Sequence, residues 1–135
     1  MLQSKGNWWL QVKDQVLGYW PSSLFKDLAV IATRINWGGE IIDSGEQGHH
    51  TTTQMGSGHF PSAGPKRASY FRNIQYMTDR SGNFIDPSIG NSLPGGLVPY
   101  ASNPKCYNID IKPHQNVNYG THFYFGGPGY SATCP

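Results

Sequence analysis

From Trp8 onward, Gly6-Asn7-Trp8-Trp9-Leu10-Gln11-Val12 sets bulky apolar residues two apart, the period of a strand with one buried face. Gln15-Val16-Leu17-Gly18-Tyr19-Trp20 reads as its neighbour across a short turn at Lys13-Asp14. Pro21-Ser22-Ser23 then offers helix-start chemistry, with Leu24, Phe25, Leu28 and Ile31 at helical spacing and Asp27 in the first turns. One short amphipathic helix is therefore expected near 22–31.

Beyond it, Arg34-Ile35-Asn36-Trp37 is again strand-like and runs into Gly38-Gly39, after which Glu40-Ile41-Ile42-Asp43 resumes an extended pattern. Paired glycines inside such a pattern point to a bulge or a close backbone approach. Residues 44–53 have the polar, glycine-bearing composition of an exposed loop, and a Pro/Gly turn spans 61–65. Residues 67–77 form the best strand in the middle of the chain. Asp86-Pro87, Leu93-Pro94-Gly95-Gly96 and Asn103-Pro104 interrupt the long loop that follows. Cys106-Tyr107-Asn108-Ile109-Asp110-Ile111-Lys112 alternates cleanly, and a last strand covers 121–126 ahead of Gly127-Pro128-Gly129.

Composition agrees with that tally of strands. The 135 residues suffice for one modest domain, and with 17 glycines, 10 prolines, 13% aromatic and only 13% charged residues the chain favours turns and strands over helices. The expected class is all-β. The formal net charge of +2 comes from scattered basic residues and forms no stripe that could track phosphates, so nucleic acid is not an expected partner. No stretch approaches the roughly 20 apolar residues of a membrane span, so no membrane partner is expected either.

Two cysteines, Cys106 and Cys134, lack the spacing of a zinc site or a redox pair, and a single structural disulfide is their simplest pairing. Disulfides persist in oxidising compartments. The first residues, Met1 to Lys5, lack the apolar core of a signal peptide. Together these features lead us to expect a piece of a longer, exported precursor.

Six aromatic-rich strings carry a resemblance. Gly6-Asn7-Trp8-Trp9-Leu10, Gly18-Tyr19-Trp20-Pro21-Ser22-Ser23-Leu24-Phe25, Trp37-Gly38-Gly39-Glu40, Met55-Gly56-Ser57-Gly58-His59-Phe60, Tyr70-Phe71-Arg72-Asn73-Ile74 and Phe123-Tyr124-Phe125-Gly126-Gly127-Pro128-Gly129, with Cys134-Pro135 after them, follow one another in the order seen in the plant neprosin family. The chain resembles the C-terminal portion of that family's catalytic domain. The resemblance implies a secreted glutamic peptidase, extracellular or vacuolar, that needs no cofactor and cuts next to proline at acidic pH. It also implies an antiparallel sandwich of two curved sheets, jelly-roll-like, with the active site in a concave groove. On this basis residues 1–135 are expected to be an incomplete half of such a sandwich, without the pro-segment.

The family uses two glutamates facing each other across the groove, and the second matches Glu40. The first lies upstream of anything matching Gly6-Asn7-Trp8-Trp9, so the missing N-terminal half is itself an expected partner. Amide hydrolysis without a metal or nucleophile needs one carboxylate to take a proton from water and one carboxylic acid to protonate the carbonyl oxygen or the leaving nitrogen. One glutamate cannot hold both states, so weak or no activity is expected of this chain alone.

Each candidate has an ordinary reading beside the functional one. By spacing alone Glu40 is a surface carboxylate on an edge strand. Glu46, the other glutamate, sits in what reads as a solvated loop tip. His49, His50 and His59 read as polar loop residues, because neighbouring histidines on a strand point apart and no carboxylate stands at a ligand-like spacing, so no metal is expected. Trp8, Trp9, Tyr19, Trp20 and Trp37 suit either a sandwich core or a groove that grips proline rings or sugars, and His59 is placed near that groove. A proline-containing peptide or protein is the expected substrate. A binding module for proline-rich peptide or cell-wall polysaccharide is the alternative. The family also pairs its C-terminal cysteines, which implies a Cys106–Cys134 tether.

Overall fold

The computed structural model describes residues 2–45, 48–79, 82–90, 96–114 and 117–135. The chain divides into two compact units, Met1–Asn36 and Trp37–Pro135.

The first unit is an antiparallel sheet of β1 (Leu2–Ser4), β2 (Asn7–Val12) and β3 (Gln15–Trp20), in that order. Trp8 pairs with Trp20 and Trp9 with Tyr19, and the register shifts between Leu10 and Gln11. The two longer strands and their turn at Lys13 lie where the alternation puts them.

The segment after β3 departs from expectation. In place of one helix near 22–31 there are two three-residue 3-10 turns, Ser22–Leu24 and Asp27–Ala29. A ten-residue helix is marginal in water unless an apolar face is buried, and Leu24, Leu28 and Ile31 are all exposed. Carbonyls that a helix could use are taken by side chains of the sheet instead. Trp8 Nε1 donates to Leu28 O at 2.7 Å, and Gln3 Nε2 to Val30 O at 2.7 Å.

The second unit is built on a sheet of β4 (Ser69–Phe71), β7 (Asn108–Lys112) and β8 (His122–Gly126), antiparallel in the order β4-β8-β7. A two-residue parallel pair, β5 (Ser88–Ile89) with β6 (Gly96–Leu97), lies apart from it. In the register, Tyr70, Tyr124 and Asp110 share one row, while Phe71, Phe123 and Ile111 share the next. Successive residues of a strand face opposite sides. One face therefore carries Phe71, Phe123, Phe125, Ile109 and Ile111, and the other carries Tyr70, His122, Tyr124, Asp110 and Lys112. The three phenylalanine rings are mutual neighbours at 5.2 to 5.7 Å.

Burial concentrates here: Ala68, Ile74, Cys106, Tyr107, Thr121, His122, Phe123, Tyr124 and Cys134 are all buried. The Cys106–Cys134 disulfide is present, with Cα atoms 5.0 Å apart. Its sulfurs and Tyr107 form a core cluster against which Ile41 and Met55 pack.

With most of its strands in antiparallel sheets and no α-helix among the described residues, the chain is all-β. Two expected strands are not seen. Residues 34–37 and 40–43 form no named strand, because an extended pattern becomes a strand only when a neighbour takes up its backbone hydrogen bonds. The stretch expected as one strand over 67–77 shortens to β4, with an isolated bridge at Tyr76 and Ile85. Glu46 and the expected turn at 93–95 fall outside the described residues.

Candidate functional site

Glu40 lies in the extended segment that opens the second unit, and that segment is held by its neighbours. Gly39 is pressed onto the phenylalanine face of the sheet. A Cβ there would stand 2.9 Å from Met55 Cγ and 3.2 Å from Phe125 Cε2, so the close approach expected of the paired glycines is found at Gly39. Ile41 packs on the Cys106–Tyr107–Cys134 cluster. Glu40, between Gly39 and the half-buried Ile41, is exposed. Among the described residues its carboxylate makes no hydrogen bond or ion pair. A carboxylate so presented can take a proton from water or, once protonated, give one up.

Beyond Glu40 the loop closes on Asp43. Asp43 Oδ1 accepts the Gly45 N–H at 3.2 Å and the Thr51 N–H at 3.0 Å. Its Oδ2 faces His50 Nε2 at 3.5 Å. The backbone N–H donors of Gly45 and Thr51, then the neighbouring His50 and His49, hold the Asp43 carboxyl below the usual aspartate range. His50 sits edge-on to Tyr107, ring centroids 5.3 Å apart, and the Tyr107 hydroxyl donates to Thr53 O at 2.7 Å. Burial, and after it the Asp43 charge, push the Tyr107 phenol upward.

His50, Cys106 and Cys134 bring a nitrogen and two sulfurs within 4.8 Å of one another. The two sulfurs are bonded to each other, however, so no thiolate is available to ligate an ion. Sequence reasoning treated 49–50 as ordinary polar loop and passed over Asp43. The usable signal was an aspartate three residues beyond Glu40 with glycine two residues on, the spacing of a carboxylate that caps its own loop.

The remaining candidates are divided between the units. Trp8, Trp9, Tyr19 and Trp20 gather on one hairpin of the first unit. Trp9 and Tyr19 are in contact at 4.7 Å, and the Trp8–Trp20 pair faces the other side. Trp37 is half-buried in the same segment as Glu40. His59 is exposed in the turn after Met55, its N–H reaching Ser57 Oγ at 3.5 Å. A shallow cavity of about 340 Å³, lined by Phe60, Pro61, Ser62, Asn108, Ile109 and Asp110, contains none of these residues.

These observations define an all-β, disulfide-bridged protein that presents Glu40, unpartnered among the described residues, from a segment held by its neighbours. The family model described as Neprosin matches residues 2–128, and the chain belongs to the neprosin family. No solved structure matches it. No helix among the described residues is long and apolar enough to cross a membrane.

Proposed function

We propose that the chain carries one half of the catalytic pair of a glutamic endopeptidase that cleaves next to proline at acidic pH, with Glu40 as its acid–base carboxylate. The observation that carries this reading is the presentation of Glu40, exposed and unpartnered among the described residues, between the anchored Gly39 and Ile41. Membership of the neprosin family supports it further. In the reaction one carboxylate draws a proton from water as the oxygen attacks the carbonyl carbon, and a second, protonated, passes its proton to the carbonyl oxygen or the departing nitrogen. Two such groups close together share a proton and titrate apart, which suits acid operation. On this reading the second glutamate and the groove wall that bears it lie outside these 135 residues. On the same reading the intact enzyme is extracellular or resides in the secretory pathway or vacuole.

The test is cleavage of a proline-containing peptide at acid pH by three proteins: this chain, its Glu40→Gln variant, and a form extended upstream to restore a second glutamate. Cleavage by the extended form only, abolished by Glu40→Gln in that form, is the expected result. Vigorous cleavage by this chain that persists in Glu40→Gln would sink the proposal.

A second reading has one observation in its favour: Tyr19 is 51% and Trp20 41% exposed on the hairpin of the first unit. Exposed rings of this kind grip proline or sugar rings without cutting. Binding of a proline-rich peptide or a cell-wall polysaccharide that survives Glu40→Gln, with no cleavage by any form, would favour it.

A further inference from the structure

We infer that Asp43 and His50 are a positioning pair that fixes the segment bearing Glu40, and that the pair closes fully only when His50 carries both ring protons. This rests on the reading of Glu40 as the acid–base carboxylate.

The geometry around His50 is unusual in what it asks of the ring. Nε2 faces Asp43 Oδ2 at 3.5 Å, and Nδ1 faces Thr51 O at 3.1 Å. Both partners are acceptors. A neutral imidazole has one N–H and one lone pair, so it can satisfy one of them while turning its lone pair on the other; an imidazolium donates to both. The ring has little freedom to turn away, because its side chain is only 10% exposed and it lies edge-on against Tyr107. Among the described residues the other titratable groups around the pair are His49 and Tyr107, and the adjoining disulfide does not titrate.

Asp43 joins the two ends of the loop after Glu40, through Gly45 at one end and Thr51 at the other. Thr51 is in turn tied to the C-terminal segment, since its carbonyl accepts the Tyr130 N–H at 2.8 Å. Glu40 is therefore held from behind by Gly39 on Phe125 and from ahead by Ile41 and this loop clasp. With His50 as the imidazolium and the Asp43 carboxyl, held below the usual aspartate range by the Gly45 and Thr51 N–H donors, ionised, both acceptors facing the ring are satisfied.

The experiment is ¹⁵N relaxation on the whole chain at pH 8 and pH 5, reading the order parameters of the Glu40, Ile41 and Ile42 amides. In the unmodified protein they should rise toward about 0.85 at pH 5. Asp43→Ala should drop them below about 0.6 at both pH values. His50→Gln, which cannot titrate, should leave them intermediate and independent of pH, and Asp43→Asn provides the milder variant if Asp43→Ala does not fold. Amides of Phe123 and Tyr124 serve as the control and should not change. Unchanged order at 40–42 in the Asp43 and His50 variants would overturn the inference, as would a pH response that survives His50→Gln. Since this readout needs no cleavage, failure of the clasp is separable from failure of the catalytic reading, which the Glu40→Gln assay decides.

Discussion

The two units reach ordered β-structure by different means. Residues 2–20 form three antiparallel strands, with one register shift between Leu10 and Gln11, yet Val12, Val16, Leu17, Tyr19 and Trp20 all stay exposed on them. The second unit has shorter strands, one pair only two residues long, but β8 is buried along nearly its whole length and a disulfide closes its core. A net hydrogen bond contributes about 1 kcal/mol, whereas full burial of a large apolar side chain contributes about 1.5–3 kcal/mol. The ladder therefore sets shape in the first unit, and burial supplies stability in the second. Glu40 stands on the stable side of that division, three residues past its start at Trp37.

The largest effect should come from the centre of the second unit. Phe123 is 2% exposed and contacts both Phe71 and Phe125. Phe123→Ala leaves a cavity and should cost about 3–5 kcal/mol, read as a fall in the urea midpoint of unfolding. A loss below about 1 kcal/mol would mean that burial does not separate the two units. Next comes the disulfide, with a sequence separation of 28. Replacing both cysteines with serine should cost about 3 kcal/mol and loosen the packing of Ile41.

The sequence revealed these two units unequally, for the same physical reason. Strands β2, β3, β7 and β8 were legible because alternation is local and each pairs with a neighbour. The disulfide was legible by its being the simplest pairing of two cysteines. Residues 34–43 alternate just as well, but whether they become a strand depends on a partner that no local pattern specifies. The helix expected near 22–31 failed for want of a surface to bury Leu24, Leu28 and Ile31. At the site, the family resemblance singled out Glu40 and the glycine pair implied a close approach, which occurs at Gly39. Asp43 and His50 were missed because their meeting, seven positions apart along the loop, is decided by tertiary packing against Tyr107 and the disulfide.

Tyr107 gives a smaller test that sharpens the contrast through pH. Burial raises its phenol above the ordinary tyrosine value of 10.0, so the folded state holds the proton more tightly than the unfolded chain. Its contribution is complete below the unfolded value and is lost as pH rises through the folded one. Tyr107→Phe removes the bond to Thr53 O and should cost about 1 kcal/mol at neutral pH. It should also weaken the alkaline destabilisation, measured as the urea midpoint between pH 8 and pH 11. An unchanged alkaline slope would show that the buried phenol is not its source.

The smallest effect belongs to the first unit and tests the comparison from the other side. Leu17 is 61% exposed on β3, and neither β2 nor β3 contains a buried residue. Leu17→Thr removes little buried apolar area and keeps strand propensity, so stability should change by less than about 0.5 kcal/mol. Trp8, Trp9 and Trp20 lie in this unit and only Trp37 in the other, so tryptophan emission reports chiefly on the hairpin. Its unfolding midpoint should be indifferent to Leu17→Thr. A loss of more than about 1 kcal/mol would instead mean that Leu17 is covered in solution, and the first unit would then have burial of its own.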